Sequence, residues 1–170
     1  MPDSWRKPLL GLVFAIGVGL ILYALLARQS DAERIAGVLR ELCEAVSFDR
    51  PPARLQRGLR LKNTFEKLLT ERVRIDIADL GTSRQGREEA LSLAMQASEV
   101  ANSLRISLVD SEITVDSSAR SASADAVVAL DAKPRGAEPA REKRAVHVEL
   151  VAEGKKWRVA GIEVREPAEH

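Results

Sequence analysis

The residues best suited to acid–base chemistry lie in the C-terminal third of the chain. His147 and Glu149 are two positions apart in a stretch where three aliphatic residues alternate with them. Residues two apart share one face of a β-strand, so a histidine and a carboxylate here could act as general base and orienting acid. Asp125, in a run of small residues upstream, is a third candidate. Together they define an acid/His hypothesis for an isomerase or hydrolase.

The same alternation supports the opposite interpretation. Val146, Val148 and Leu150 are the apolar members of the stretch and are expected to face a core. His147 and Glu149 would then point to solvent or to a partner, while the orientation of Asp125 stays open. We therefore expect no catalytic residue and keep the three side chains as candidates for the alternative function.

Other reactive patterns are missing from the sequence. The two histidines, His147 and His170, are far apart, and Cys43 is the single cysteine, so we expect no metal site, no cofactor and no disulfide. The formal net charge is +1 with acids and bases interspersed. This distribution argues against a nucleic-acid-binding surface.

An apolar run near the N-terminus predicts a membrane anchor. Leu9 to Ala27 contains 19 residues without a charge. As a helix it would extend roughly 28 Å, close to the hydrocarbon thickness of a bilayer. Arg6 and Lys7 precede it and Arg28 follows it, which places bases at both interfaces. The alternative is a cleaved signal peptide, but the run is longer than such segments and lacks a small-residue cleavage site.

Two further expectations follow from the run. A short basic tail before a first span usually stays in the cytoplasm, which places the rest of the chain outside. Since the Ala- and Arg-rich composition suggests a bacterial source, we expect an inner-membrane protein with a periplasmic domain. Gly11, Ala15 and Gly19 line one helix face and could pack against a second helix, although small residues are also simply common in such spans.

The segments after the anchor alternate between helical and strand patterns. A stripe at helical spacing is formed by Ile35, Val38, Leu39, Leu42 and Val46. A second helix, broken near Gly58, is expected to bury Leu55, Leu59, Phe65, Leu68 and Leu69. A short strand over 72–77, a loop over 78–85 and a helix from Gly86 to about Asn102 follow.

Four antiparallel strands are expected between Ser103 and Arg165, with their apolar face covered by the helices. The alternation changes phase between Val109 and Glu112, which predicts a bulge. Ser117 to Arg120 is expected to turn the chain, and Lys133 to Ala140 to form a longer loop.

This order of elements resembles the nuclear transport factor 2-like superfamily, the cone-shaped α+β barrel that includes SnoaL-like and ketosteroid-isomerase-like proteins. The residues that carry the resemblance are Gly86 to Glu89, at the start of the last helix, and Lys156 to Val159, in the final strand. The resulting organisation is a tail at 1–8, a transmembrane helix at 9–27, the α+β domain at 28–166 and a polar tail at 167–170.

The resemblance implies a fold rather than an activity, because the superfamily contains isomerases, cyclases and dehydratases as well as non-catalytic binding domains. Its enzymes place acids, His and Tyr inside the cone, whereas Tyr23 of this chain lies in the apolar run. We therefore expect a membrane-anchored, non-catalytic accessory or scaffold domain that contacts lipid through Leu9 to Ala27. It would bind a protein partner, a second copy or a small apolar ligand.

Overall fold

The computed structural model describes residues 30–78 and 81–165. Inter-residue contacts divide the chain into two units, Met1–Asp31 and Ala32–His170. The predicted membrane span at Leu9 to Ala27, with Gly11, Ala15 and Gly19, lies outside the described residues. Within the described ranges no helix is both long and apolar enough to cross a bilayer.

The described part of the chain has an α+β fold. Its helices are α1 (Asp31–Val46), α2 (Arg54–Leu68) and α3 (Arg87–Val100). Its strands are β1 (Leu69–Ile77), β2 (Thr82–Gln85), β3 (Ala101–Asp116), β4 (Ser121–Pro134), β5 (Ala140–Glu153) and β6 (Lys156–Arg165). The predicted loop over 133–140 is therefore shorter than expected, because β4 and β5 extend into it.

The strands form one curved sheet in the order β2-β1-β6-β5-β4-β3. The three neighbouring pairs among β3 to β6 are antiparallel, as predicted, and β1 is added to them by a parallel pairing with β6. The segment 82–85, predicted as loop, is instead strand β2, which pairs with Arg74 to Ile77 of β1. Its polar sequence shows no apolar alternation, so only the pairing with β1 identifies it as a strand.

The helices cover one face of the sheet, which we call the inner face; the opposite face is the outer face. Val146, Val148 and Leu150 of β5 are buried on the inner face. Ile35 and Leu39 of α1 belong to the same core cluster. This arrangement confirms the predicted amphipathic stripe of α1.

Of the five residues predicted to be buried by the second helix, Phe65, Leu68 and Leu69 are buried as predicted, whereas Leu55 and Leu59 are not. Helix α2 continues through Gly58 without a break, and the side chains of Leu55 and Leu59 are 76% and 55% exposed. The buried residues within the helix share a spacing of three or four and are Arg57, Leu61, Phe65 and Leu68. Leu55 and Leu59 lie at the correct spacing for a stripe, but on the face turned away from the sheet.

Two local features set the positions of the strands. Gly86 has a φ of 105°, which side chains rarely tolerate, and its amide donates to the carbonyl oxygen of Val73 at 2.8 Å. This contact fixes the start of α3 against β1. In β3 the register with β4 shifts between Leu108 and Asp110, which confirms the predicted bulge.

Candidate functional site

An apolar cavity of about 230 Å³ lies between the second half of α1 and the inner face of strands β3 to β6. The helix contributes Leu39, Leu42, Cys43 and Val46 to its wall. Every strand residue that lines it is Ala, Val, Leu or Ile. The volume is below the usual range of drug-sized pockets, so the cavity suits a compact ligand.

The space exists because β4 presents small side chains to α1. Ala122, Ala124 and Ala126 are the buried inner-face residues of this part of the strand, and Ala124 is fully inaccessible. Interiors pack at nearly uniform density, so a methyl group where the neighbouring strand β5 carries Val or Leu leaves a gap under the helix. Ala126 itself lines the cavity. The run of small residues is the feature of the sequence that corresponds to this gap, but from the sequence it predicted only a strand.

Among the residues that the structure describes, none with a carboxylate, imidazole or ammonium group lines the cavity. Its most polar side chain is Cys43, whose thiol pKa is raised by burial and, to a smaller extent, by the negative charge of Glu44. A neutral thiol is a weak donor and a poor nucleophile. The described lining of the cavity therefore provides no acid–base pair.

The candidate acid and histidine lie on the outer face. His147 and Asp125 are directly opposite each other on β5 and β4, and His147 Nδ1 is 2.8 Å from Asp125 Oδ1. The side chains are 25% and 65% exposed. Glu163 is opposite His147 on β6, and Arg165 binds Glu163 while approaching Asp125 to 3.8 Å. Neighbouring charges of both signs thus surround the imidazole.

Glu149 belongs to the same face but contacts a different partner. Its Oε2 is 3.6 Å from Arg74 Nη2, and the carboxylate lies over Gly161. The alternative prediction of a catalytic acid/His pair inside the cone is therefore not met. His147, Glu149 and Asp125 lie on the side of the sheet opposite to the cavity. For His147 and Glu149 this agrees with the alternation along β5, whose apolar residues face the core.

A larger depression of about 730 Å³ lies between α2, the start of α3 and strand β1. Its floor includes Phe65 and Leu91, and its rim carries acids and bases together, among them Glu66, Glu71 and Arg87. Arg87 donates to the carbonyl oxygen of Leu69 at 3.1 Å, so it has a structural role. Among the described residues no three His, Cys, Asp or Glu side chains are grouped so that they could hold a metal ion.

Comparison with known proteins gives a fold and no closer relative. No family model matches the sequence, and no curated protein matches it. Solved structures do match. A nuclear transport factor 2-like protein with a cystatin-like fold from Novosphingobium aromaticivorans is 16% identical with a TM-score of 0.62, covering 84% of this chain and 86% of that one.

Two further solved structures are similar in fold to this chain. The Kfla4162 protein from Kribbella flavida is 13% identical with a TM-score of 0.65, covering 82% of this chain and 91% of that one. A protein from Novosphingobium aromaticivorans that is provisionally assigned as a scytalone dehydratase is 12% identical with a TM-score of 0.63, covering 79% and 83%. Identities this low establish architecture only. The described part of the chain has the fold of the nuclear transport factor 2-like superfamily.

Proposed function

We propose that this protein is a membrane-anchored, non-catalytic binding domain that holds a small apolar molecule in the cavity under α1. The observation that carries the proposal is the composition of the cavity wall, which is aliphatic except for the Cys43 thiol. An apolar ligand would lose water-exposed surface there and leave no charged protein group without a partner.

Catalysis inside the cone has no support in the geometry. An acid–base enzyme needs at least two titratable groups that converge on an enclosed volume. His147 and Asp125 form a hydrogen-bonded pair, but they lie on the outer face, and Asp125 is largely exposed. The binding function is therefore favoured over the isomerase or hydrolase alternative.

A change that fills the cavity tests the proposal. Ala126→Leu adds three carbons to the cavity wall, whereas Ala129→Leu makes the same change on the outer face of the same strand, where Ala129 pairs with Lys143. Naphthalene serves as the probe, with binding measured by calorimetry and by methyl chemical shifts of Leu42 and Val128. We expect binding by the parent and by Ala129→Leu, and loss of binding in Ala126→Leu.

Two results would overturn the proposal. The first is absence of naphthalene and of smaller aromatics such as benzene from the cavity of the parent protein. The second is equal binding by the parent and a folded Ala126→Leu variant. Far-UV circular dichroism establishes folding of both variants before binding is measured.

The membrane part of the proposal rests on the uncharged run from Leu9 to Ala27. We expect the full-length chain to stay in the membrane fraction after alkaline carbonate extraction in a bacterial host. Protease added to spheroplasts should digest residues 30–165, because the domain is proposed to be periplasmic. Recovery of the chain in the carbonate supernatant contradicts the anchor, and protection from protease contradicts the orientation.

Self-association is proposed as a second property of the anchored chain. Small residues at Gly11, Ala15 and Gly19 would allow two spanning helices to approach closely. The resemblance also implies pairing through sheet faces. Sedimentation of the detergent-solubilised full chain, compared with Gly11→Ile and Gly19→Ile, tests the helix contact. A monomeric parent protein would remove this part of the proposal.

A further inference from the structure

Strand β3 forms one edge of the sheet, and part of that edge is already used by the chain itself. Phe48 makes two backbone hydrogen bonds with Leu104, of 2.7 and 2.8 Å, and the amide of Ile106 donates to Ser47 Oγ at 2.9 Å. Residues 47–48 therefore act as a very short extra strand. The contacts also show that Leu104 and Ile106 direct their backbone groups away from β4.

The remainder of the edge has no such cover in the described residues. The pairing with β4 shifts at the bulge and then continues from Ser111↔Ala126 to Asp116↔Ser121. Hydrogen-bonded and non-hydrogen-bonded pairs alternate along an antiparallel ladder. Beyond the bulge the backbone groups of Ser111, Ile113 and Val115 therefore point outward from the sheet. From Leu108 to Val115 this edge is roughly 25 Å long.

The outer-face side chains along this open edge are acidic or small and polar. Asp110 and Glu112 are two residues apart, and Asp116 follows Glu112 by four residues with Thr114 between them, so all four side chains share the outer face. The Asp110 carboxylate accepts a hydrogen bond from the Ser111 amide at 2.8 Å. On the inner face Ile113 and Val115 pack against the core. The edge therefore combines outward main-chain groups at Ile113 and Val115, an apolar inner side and a negative outer side.

A second copy of β3 does not fit this edge. If two copies of β3 pair antiparallel around a two-fold axis at Ser111, Asp110 of one copy lies opposite Glu112 of the other. If the axis is at Glu112, the two copies of Glu112 lie opposite each other. Pairing about Ile113 or Thr114 places Asp116 opposite Asp110 or Glu112. Every one of these registers sets carboxylates against each other on the outer face, which destabilises a strand pair. The acids thus select against self-association and for a cationic partner.

We propose that the edge from Leu108 to Val115 binds an extended basic segment of a partner protein as an added antiparallel strand. Main-chain hydrogen bonds to Ile113 and Val115 supply the pairing, as in other cases of strand addition. Lysine or arginine side chains at alternate positions of the partner segment lie opposite Glu112 and its acidic neighbours, Asp110 and Asp116. The aliphatic side chains of the segment, which alternate with these bases, extend the inner face of the sheet. This inference is independent of the cavity ligand, since none of these residues except Leu108 lines the cavity.

The test uses the full-length chain and a fluorescein-labelled heptapeptide of alternating lysine and valine. Binding is followed by fluorescence anisotropy at low and moderate salt, and amide hydrogen exchange is measured with and without peptide. We expect saturable binding that weakens with salt, and slower exchange of the Ile113 and Val115 amides. A peptide with glutamate in place of lysine should not bind.

Matched variants localise the effect. Glu112→Lys reverses a charge on the edge, and Glu138→Lys makes the same reversal in the turn between β4 and β5. We expect affinity to fall by about fivefold or more in Glu112→Lys, because an attractive cross-strand pair becomes repulsive, and to change little in Glu138→Lys. Glu112→Gln, a milder change, should give an intermediate loss.

Three outcomes would overturn the inference. One is absence of binding, in which case the acids only protect the edge from aggregation. Another is binding without protection of Ile113 and Val115, which indicates a charged surface rather than an added strand. The last is an equal loss of affinity in Glu112→Lys and Glu138→Lys, which indicates a response to net charge.

Discussion

The guanidinium of Arg57 stacks on the ring of Phe48, with the Arg57 Cζ atom 4.5 Å from the ring centroid. The same group donates to the carbonyl oxygen of Val46 at 2.9 Å and to that of Ala94 at 3.3 Å. Val46 is the last residue of α1, so its carbonyl has no partner within the helix. One buried cation therefore joins α1, α2 and α3, and burial lowers its pKa.

Replacement of this cation should destabilise the fold. We expect Arg57→Met to lower the free energy of unfolding by about 2 kcal/mol, because two charge-assisted hydrogen bonds and the ring contact are lost while the apolar stem is kept. Urea denaturation of the full chain measures the change. Arg60→Met is the matched control, since Arg60 is exposed and donates to the Ala45 carbonyl at 3.4 Å, and it should cost less than half as much.

Gly161 and Glu149 are expected to be energetically coupled. A Cβ at position 161 would stand 2.8 Å from Glu149 Oε2, so Gly161→Ala must displace the carboxylate from its place near Arg74. We expect Gly161→Ala to be more favourable in a Glu149→Ala background than in the parent by about 0.5–1 kcal/mol, a coupling typical of residues in contact. A double-mutant cycle from urea denaturation gives this difference. Additive single effects would show that the carboxylate moves freely.

The turn between β3 and β4 should make stability depend on pH. Asp116 accepts hydrogen bonds from the Ser118 hydroxyl, the Ser118 amide and the Ala119 amide. These bonds hold the pKa of Asp116 below its ordinary value of 3.8, with the Ser118 side chain as the largest cause. A depressed carboxyl pKa stabilises the folded state above the unfolded-state pKa, and this stabilisation is lost as the pH falls through the folded-state pKa.

We therefore expect Asp116→Ala to lower the melting temperature near pH 7. The difference from the parent should shrink below about pH 4 and approach zero once Asp116 is protonated in both states. Thermal melts from pH 2.5 to 7 measure it. Asp110→Ala, on the same strand, is a control for general charge effects. A melting-temperature difference that stays constant with pH would show that the turn is held by other contacts.

Cys43 should react slowly for a cysteine. Burial raises its thiol pKa, and the side chain lies on the cavity wall. We expect its reaction with a disulfide reagent at pH 8 to be at least roughly tenfold slower in the native chain than in urea, because less thiolate is present and access is limited. Since the chain has one cysteine, the measured rate belongs to a single site. Naphthalene in the cavity should slow the native reaction further, and equal native and unfolded rates would contradict this placement.

The sheet was largely predictable because each long strand carries its own pattern. The alternation of Leu104, Ile106 and Leu108, its change of phase and the turn over 117–120 are local signals, and the structure has all three. Strand β2 was missed because its four residues, from Thr82 to Gln85, carry no apolar alternation. This segment forms a strand because it pairs with β1.

The errors in α2 have a different cause. In the first half of the helix Leu55 and Leu59 compete with Arg57 and Leu61 as possible buried positions, and spacing alone does not choose between the two faces. The correct face requires burial of Arg57, which no hydrophobic pattern favours. Only the carbonyl groups supplied by α1 and α3 make that burial tolerable. The cavity could not be predicted from the sequence either, because its size depends on how Ala126 is placed against α1.

The parallel contact between β1 and β6 has a consequence for the order in which the protein is made. β6 is the most C-terminal strand, yet it lies between β1 and β5 in the sheet. During synthesis the β1–β2 hairpin must wait for about eighty later residues to leave the ribosome before it gains its second neighbour. A released chain truncated after Glu153 should therefore hold β3 to β5 as a meander while β1 stays open to chaperones and proteases, and addition of residues 154–165 should close the sheet in a single late step.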